Sequence, residues 1–402
     1  MHASPSAHLN GIPLGIYIHW PFCRSICPYC DFNVHKERSI DQQQWRDALL
    51  REIDHTASLI GAHNIGAHNR VVQSVFFGGG TPSLMPPQTV AGILDHIAHI
   101  WPVAENIEIS LEANPDGMNT ALLKDFQSAG INRISLGVQA LDDDALRFLG
   151  RRHTATQALE AVRLSRRIFD TVSMDLIYGR PQQSLADWEG ELQRALAEKT
   201  DHLSLYQLTI EPRTPFYRSR ERGRLAMPDE DRLADLFEIT REICAAANMP
   251  AYEISSHGQE VNRCRHNLTY WNGGEYAGIG PGAHGRIEYD NRRFATRTIL
   301  SPDAWLARVE SAGHGLEVIE PLNGDVCGQE LIMMGLRLTE GVCLKKYTRL
   351  TGKPLNARLV EKLMKDGLIW QQENRLGATL RGVLVLDNII ATLLADSDYL
   401  NP

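Results

Sequence analysis

Short runs rich in apolar and β-branched residues recur along the chain at 16–20, 74–77, 107–111, 133–138, 172–177 and 203–208. Between them, apolar residues fall at helical spacing over 41–60, 87–100, 120–129, 156–168 and 185–197. Strands that alternate with helices, at roughly 30 residues per unit, predict βαβ units and a parallel sheet. Six such strands predict an α/β fold: a barrel, part of one, or an open doubly wound sheet.

The ends of these strands carry the chemistry. A cysteine-rich loop follows the first, and Gly78-Gly79-Gly80-Thr81-Pro82 follows the second. Glu112 closes the third, Gln139 the fourth, Asp175 lies late in the fifth, and Tyr206 and Gln207 end the sixth. Parallel α/β proteins build their sites at the C-terminal ends of strands, so this convergence marks a site.

Past residue 229 the rhythm loosens. A helix over 229–247 leads to a short strand at 252–255 and then to a loop region rich in Gly, His and aromatics. The expected divisions are a tail at 1–12, a barrel at 13–250, this loop region at 251–300 and a mainly helical domain at 301–402. Near the end, a helix (356–365), a strand pair (368–371, 376–380) and a last helix resemble a winged helix. Residues 351–402 hold six basic and six acidic side chains, a balance that disfavours a DNA-binding role.

Composition narrows the picture. The 402 residues are 43% hydrophobic and 22% charged, as in a soluble globular protein. A formal charge of −8 makes a general polyanion binder unlike this chain, so no nucleic-acid partner is expected. Residues 1–11 hold no Lys or Arg and no apolar stretch, and the apolar run at 383–395 is broken by Asp387 and Asn388. No signal peptide or membrane span is therefore expected. The expected location is the cytoplasm, with peripheral membrane association left open.

Of seven cysteines, Cys23, Cys27 and Cys30 are spaced C-x3-C-x2-C. Thiolates suit iron–sulfur clusters and zinc. Three cysteines in one loop can hold three irons of a [4Fe–4S] cluster and leave the fourth open. A structural zinc would need a fourth ligand, which His19 or His35 can supply. The glycine loop is not a phosphate loop, since no Gly-Lys-Ser/Thr follows it. Nor is it a dinucleotide fingerprint, because Ser83 stands where a third glycine belongs. Gly278-x-Gly280-x-x-Ala283 fits that fingerprint formally, but Pro281 weakens it.

Tyr17-x-His19-x-Pro21-Phe22-Cys23-x3-Cys27-x-Tyr29-Cys30, followed by the triple glycine, resembles the radical S-adenosylmethionine (SAM) superfamily. Within it, the chain is similar to the oxygen-independent coproporphyrinogen oxidase branch, over nearly its whole length. The oxidases of that branch carry a further cysteine two residues after the third, where this chain has Phe32. His266-Asn267-x-x-Tyr270-Trp271 matches an element associated with heme binding in the heme chaperones of the branch.

The resemblance implies a partial six-stranded (β/α) TIM-like radical SAM barrel with a smaller, mainly helical, winged-helix-like C-terminal domain. It implies a [4Fe–4S] cluster on Cys23, Cys27 and Cys30 and S-adenosylmethionine on its open iron. The implied cofactor-binding residues are Tyr17, Tyr29, Gly79, Gly80, Thr81, Glu112, Gln139, Arg151 and Asp175. Each also has a plain structural reading, such as a cap for Asp175 or a solvated charge for Arg151. His266 is the candidate heme residue, with Cys264 as a competing ligand, while His284 is expected to face the S-adenosylmethionine pocket. Cys244, Cys327 and Cys343 read as buried small hydrophobes. The implied function is a heme chaperone that passes heme, its cargo, to respiratory hemoproteins, with a membrane-bound acceptor and a homodimer both left open. The alternatives are a coproporphyrinogen III oxidase, a radical enzyme on another substrate and a zinc-stabilised binding module.

Overall fold

The computed structural model describes residues 11–36, 39–61, 70–290 and 292–395. Six of its strands are the predicted parallel ones: β1 (Ile12–Trp20), β4 (Arg70–Gly79), β5 (Val103–Ala113), β6 (Arg133–Gln139), β7 (Thr171–Tyr178) and β8 (His202–Gln207). Two-residue strands β2 (Phe22–Cys23) and β3 (His35–Lys36) sit between the first two. In β1, Leu14, Ile16, Ile18 and Trp20 are buried, with Gly15 and His19 buried beside them. Strands covered on both faces carry such near-continuous apolar runs.

Helices cross between these strands, and the sequence marks their starts. Asp41, Asn119, Thr154 and Ser184 each accept backbone N–H groups in the first turn of the helices Gln42–Leu59, Thr120–Ser128, Ala155–Ser165 and Leu185–Ala197. Thr154 and Ser184 complete reciprocal capping boxes with Gln157 and Asp187. Pro87 opens the helix Pro87–Ile100, where its missing N–H costs nothing.

Residues 251–300, expected as loop, are more regular than that. They hold β9 (Ser256–Gly258), the helix Arg265–Trp271, β10 (Glu275–Ile279), β11 (His284–Tyr289) and β12 (Arg292–Thr298). The large sheet then continues through the helix Pro302–Ala312 to β13 (Leu316–Leu322). Its order is β13-β12-β11-β10-β1-β4-β5-β6-β7-β8-β9, so β10 lies parallel to β1 and the sheet stays open. Alternation was present but disguised. In β12 the buried positions are Phe294, Thr296 and Thr298, two of them polar. In β10 one outward position is Gly278, where a Cβ would lie 2.1 Å from the His284 carbonyl oxygen.

The main core fills the space between sheet and helices. Trp45 meets Trp20 and Phe22 edge to face and stacks on Trp305 at 5.2 Å, joining the helix Pro302–Ala312 to the first helix. A second core, around Leu331, Ile332, Leu363, Leu376 and Ile389, belongs to the C-terminal unit. There the helices Gly324–Gly335, Leu344–Thr351 and Ala357–Lys365 pack with a sheet of β14 (Val342–Cys343), β15 (Ile369–Gln372) and β16 (Arg375–Ala378), ordered β14-β16-β15. This is the winged-helix arrangement.

Candidate active site at the barrel mouth

The cysteine loop is fastened at its base. Phe22 pairs with His35 and Cys23 with Lys36, and the Cys30 amide donates to the Cys27 carbonyl at 3.2 Å. All three cysteines are free thiols, Cys23 buried and the other two half-buried. Burial pushes the Cys30 thiol up to about 11 and the Cys23 thiol above its usual value. Thiols so placed ionise when a metal centre takes them. Two of the sulfurs accept side-chain hydrogen bonds, from Thr81 Oγ1 at 3.5 Å to Cys23 and from Arg151 Nη1 at 3.4 Å to Cys27.

Among the described residues, no three His, Cys, Asp or Glu side chains converge to hold a single ion. His19 has both ring nitrogens engaged, with the Tyr17 hydroxyl at 3.1 Å and the Asn33 carbonyl at 2.9 Å. A cubane differs from a lone zinc in drawing each cysteine to a separate iron. The donor set suits the cluster.

The triple glycine has a role that the sequence did not show. A Cβ on Gly78 would lie 2.8 Å from the Tyr17 ring, one on Gly79 2.6 Å from the His19 ring, and one on Gly80 2.7 Å from the Phe22 carbonyl oxygen. The absent side chains make room for the chain's own cysteine segment. Gly80 and Thr81 donate to the Trp20 and Phe22 carbonyls at 2.7 and 2.9 Å, which stitches the end of β4 to the loop. Gly79 also has φ +110°, a left-handed value that glycine adopts freely.

Arg151 reaches the same loop from beyond β6. Besides Cys27, it donates to Gly137 O at 3.0 Å and to Asn114 Oδ1. Asn114 in turn donates to Thr81 Oγ1 at 3.1 Å. A continuous path, Cys27–Arg151–Asn114–Thr81–Cys23, thus links two of the cysteines through side chains that follow three successive strands. Asn114 was missed by sequence reading; its signal is a polar residue two past Glu112 and just before Pro115. Gln139, with φ 69°, holds a left-handed turn beside Gly137, a strained backbone typical of functional sites. The Tyr29 ring packs near Phe216, whose amide donates to Pro28 O at 3.0 Å.

Two acids complete the mouth. Glu112 accepts the Gly79 amide at 3.2 Å, and Asp175 accepts the Ser135 hydroxyl at 3.0 Å and that of Ser173 at 3.3 Å. Burial, then the charge of Asp175, pushes Glu112 up to about 8. Burial also raises Asp175, against the opposing pull of serine hydroxyls and Arg133. Burial and the Glu112 carboxylate hold the Tyr17 phenol well above its ordinary value.

His266 lies one layer below. It stands in the first turn of the helix Arg265–Trp271, where Glu108 accepts the Arg265 and His266 amides, each at 3.1 Å. The ring is 1% exposed and stacks on Phe76 at 5.1 Å and on Tyr17 at 6.3 Å. Its Nδ1 is bonded to Ser74 Oγ at 2.9 Å and its Nε2 to the Tyr270 hydroxyl. Burial holds its pKa down at about 3, so the imidazole is neutral. Both nitrogens being engaged, binding a heme iron would require one of these bonds to open. The competing Cys264 is buried, with its sulfur 3.5 Å from Glu108 Oε1. His284 is exposed on β11, opposite Arg297, and does not face inward as expected. Cys244 and Cys327 are buried as expected. Cys343 is only half-buried: it sits at a helix N-terminus, where, against the upward push of burial, hydrogen bonds from the Lys346 amide, Asn374 and the Lys345 amide lower its pKa.

Residues 17–195 match the radical SAM superfamily, and residues 324–385 match the HemN C-terminal domain. The chain is 36% identical to the bovine (Bos taurus) mitochondrial radical S-adenosyl methionine domain-containing protein 1 over 391 residues, covering 94% of this chain and 87% of that protein. It is 33% identical to the heme chaperone HemW of Escherichia coli over 389 residues, covering 96% and 99%. Among solved structures it resembles coproporphyrinogen III oxidase (HemN) of Escherichia coli, with TM-score 0.78, 22% identity, and coverage of 95% and 90%.

Proposed function

The chain belongs to the radical SAM superfamily, in the branch that includes HemN and HemW, and from this we propose that it is a heme chaperone. In this reading it binds heme and passes it to a heme-requiring respiratory protein, with a cluster and S-adenosylmethionine in a supporting role. Phe32 carries the reading. It stands 65% exposed where the oxidases of this branch place a further cysteine, two residues past Cys30. The identity to a named heme chaperone over nearly both full lengths supports it. Among the described residues, no helix is long and apolar enough to cross a membrane.

Cys23, Cys27 and Cys30 would hold the cluster. Once bound, the cluster supplies an electron and an iron with an open position for S-adenosylmethionine. The chain's own part is positioning. Arg151 and Thr81 orient two sulfurs by donating to them, and the Arg151 guanidinium balances thiolate charge. Tyr17, Glu112, Gln139 and Asp175 would receive S-adenosylmethionine. Its sulfonium and ammonium are cationic, which suits two acids whose hydrogen-bond partners are neutral.

The test uses anaerobic, cluster-reconstituted protein. Hemin is titrated while the Soret band is followed, and the same sample is assayed with coproporphyrinogen III, S-adenosylmethionine and a reductant. Saturable hemin binding with no protoporphyrinogen formed is the expected result. Turnover of coproporphyrinogen without a specific heme complex would overturn the chaperone reading and restore the oxidase.

A further inference from the structure

A second concavity lies behind the His266 helix, between the outer strands of the large sheet and the C-terminal unit. It is a small cleft of about 40 Å³, open on one side. Tyr270 and Tyr276 form one wall, edge to face with centroids 4.4 Å apart. Leu331 and Met334, from the helix Gly324–Gly335, form another. Arg286 on β11, Arg293 on β12, and Glu330 and Cys327 of that same helix also line it.

Two guanidiniums in one aromatic and aliphatic cleft select a flat, apolar ligand that carries carboxylates. Carboxylates of the chain occupy them here. Glu330 accepts from Arg286 at 2.7 and 3.0 Å, and Glu288 accepts from Arg293 at 3.2 Å. The Arg286–Glu330 pair crosses from β11 to the C-terminal unit, and its two side chains are 21% and 27% exposed. An incoming carboxylate can therefore compete for Arg286 without entering a dry core. The cleft also touches the His266 element, since the hydroxyl of its Tyr270 wall is bonded to His266 Nε2. Lys346 donates to the Asn272 and Gly273 carbonyls at 2.5 and 3.0 Å, which fastens the C-terminal unit beside the cleft.

Resting on the chaperone reading, we infer that this cleft between the sheet and the C-terminal unit docks the cargo heme by its edge, with the two propionates on Arg286 and Arg293. A cleft this small takes the propionates and leaves the macrocycle outside. The iron and the opposite edge then stay outside, where an acceptor can reach them. The His266 element contributes Tyr270 as a wall.

The test titrates cluster-reconstituted full chain with hemin and with hemin dimethyl ester, which lacks the propionate charges. Arg286→Gln and Arg293→Gln should each weaken hemin binding by about tenfold, the scale of one charged hydrogen bond. Both should leave the weak binding of the ester unchanged. Glu330→Gln should tighten hemin binding several-fold, because it frees Arg286 and removes a negative charge that faces the propionates. Glu330→Gln also serves as the folding control, since it breaks the same ion pair as Arg286→Gln. Equal losses in those two variants would assign the pair a purely structural role and overturn the inference. Equal binding of hemin and its ester would overturn it too, while leaving the chaperone reading intact. If the wild-type chain bound no hemin at all, both would fall together.

Discussion

At the barrel mouth, Glu112 and Asp175 have serine hydroxyls and a glycine amide for hydrogen-bond partners. Under β10–β12, Glu275 has a guanidinium. Arg70 donates to both of its oxygens, at 2.9 and 2.8 Å, and the two side chains are 1% and 2% exposed. Both regions bury carboxylates against the same sheet, yet the consequences differ. Burial of an acid among neutral hydrogen-bond partners disfavours its charged form, and an arriving cation restores it. An acid already paired with arginine has its counter-charge built in and ties strands together. At the mouth two raised acids stand with two raised thiols, a grouping expected where chemistry is done.

The largest effect that sharpens this contrast is all-or-none. Cys23→Ala, Cys27→Ala or Cys30→Ala should each bring iron and sulfide from about four per chain down to background after reconstitution. Folding should persist, because the core of the sheet does not depend on the loop. A variant that kept a full cluster would remove that cysteine from the ligand set. A variant that lost its cooperative unfolding would show the mouth to be structural, and the contrast would fail.

The next effect lies in the other region. Arg70→Met leaves Glu275 buried and without its cation, and breaking a buried pair costs about 3–5 kcal/mol. Arg70 also donates to the Ile60 carbonyl at 2.9 Å, so a second acceptor loses its partner. Urea unfolding should show the loss, while cluster content of the folded fraction stays at the wild-type level. A stability change below 1 kcal/mol would mean that water reaches Glu275, and the distinction between paired and unpaired acids would lose its ground.

Much of the mouth was legible in the sequence because its signals are local. The cysteine loop spans eight residues, the glycine loop three, and the caps of the crossing helices lie within four residues of their partners. The strands that extend the sheet were not legible, because their logic is long-range. Arg70 and Glu275 are 205 positions apart, and nothing near either announces the other. Thr296 and Thr298 face inward although they are polar, since hydrogen bonds such as Thr298 Oγ1 to Gly280 O satisfy them. The sequence marks Gly79 and Gly80 as cofactor-binding positions but does not show that Gly78, Gly79 and Gly80 leave room for Tyr17, His19 and Phe22. Only the fold reveals what a missing side chain makes room for.

The smallest effect, and the one that probes the mouth most directly, is a pH dependence. Glu112 is raised to about 8 by burial and by the charge of Asp175, against the downward pull of the Gly79 amide. Its folded value exceeds the ordinary one of 4.5, so its contribution to stability is fully present below that value and fades as pH climbs through about 8. A cationic ligand reverses this by favouring the carboxylate. S-adenosylmethionine bound beside Glu112 should therefore expel a proton at neutral pH. Affinity should rise with pH between about 6 and 8, by at most about tenfold per unit, which is the limit for one linked proton. Isothermal titration in two buffers of different ionisation enthalpy would count that proton. In Glu112→Gln the side chain keeps its shape but cannot ionise, so the slope should flatten and the proton count should fall toward zero. If the slope survived intact in Glu112→Gln, the proton would belong to Asp175 or another group. Glu112 would then join the paired acids as a structural carboxyl that holds the Gly79 amide.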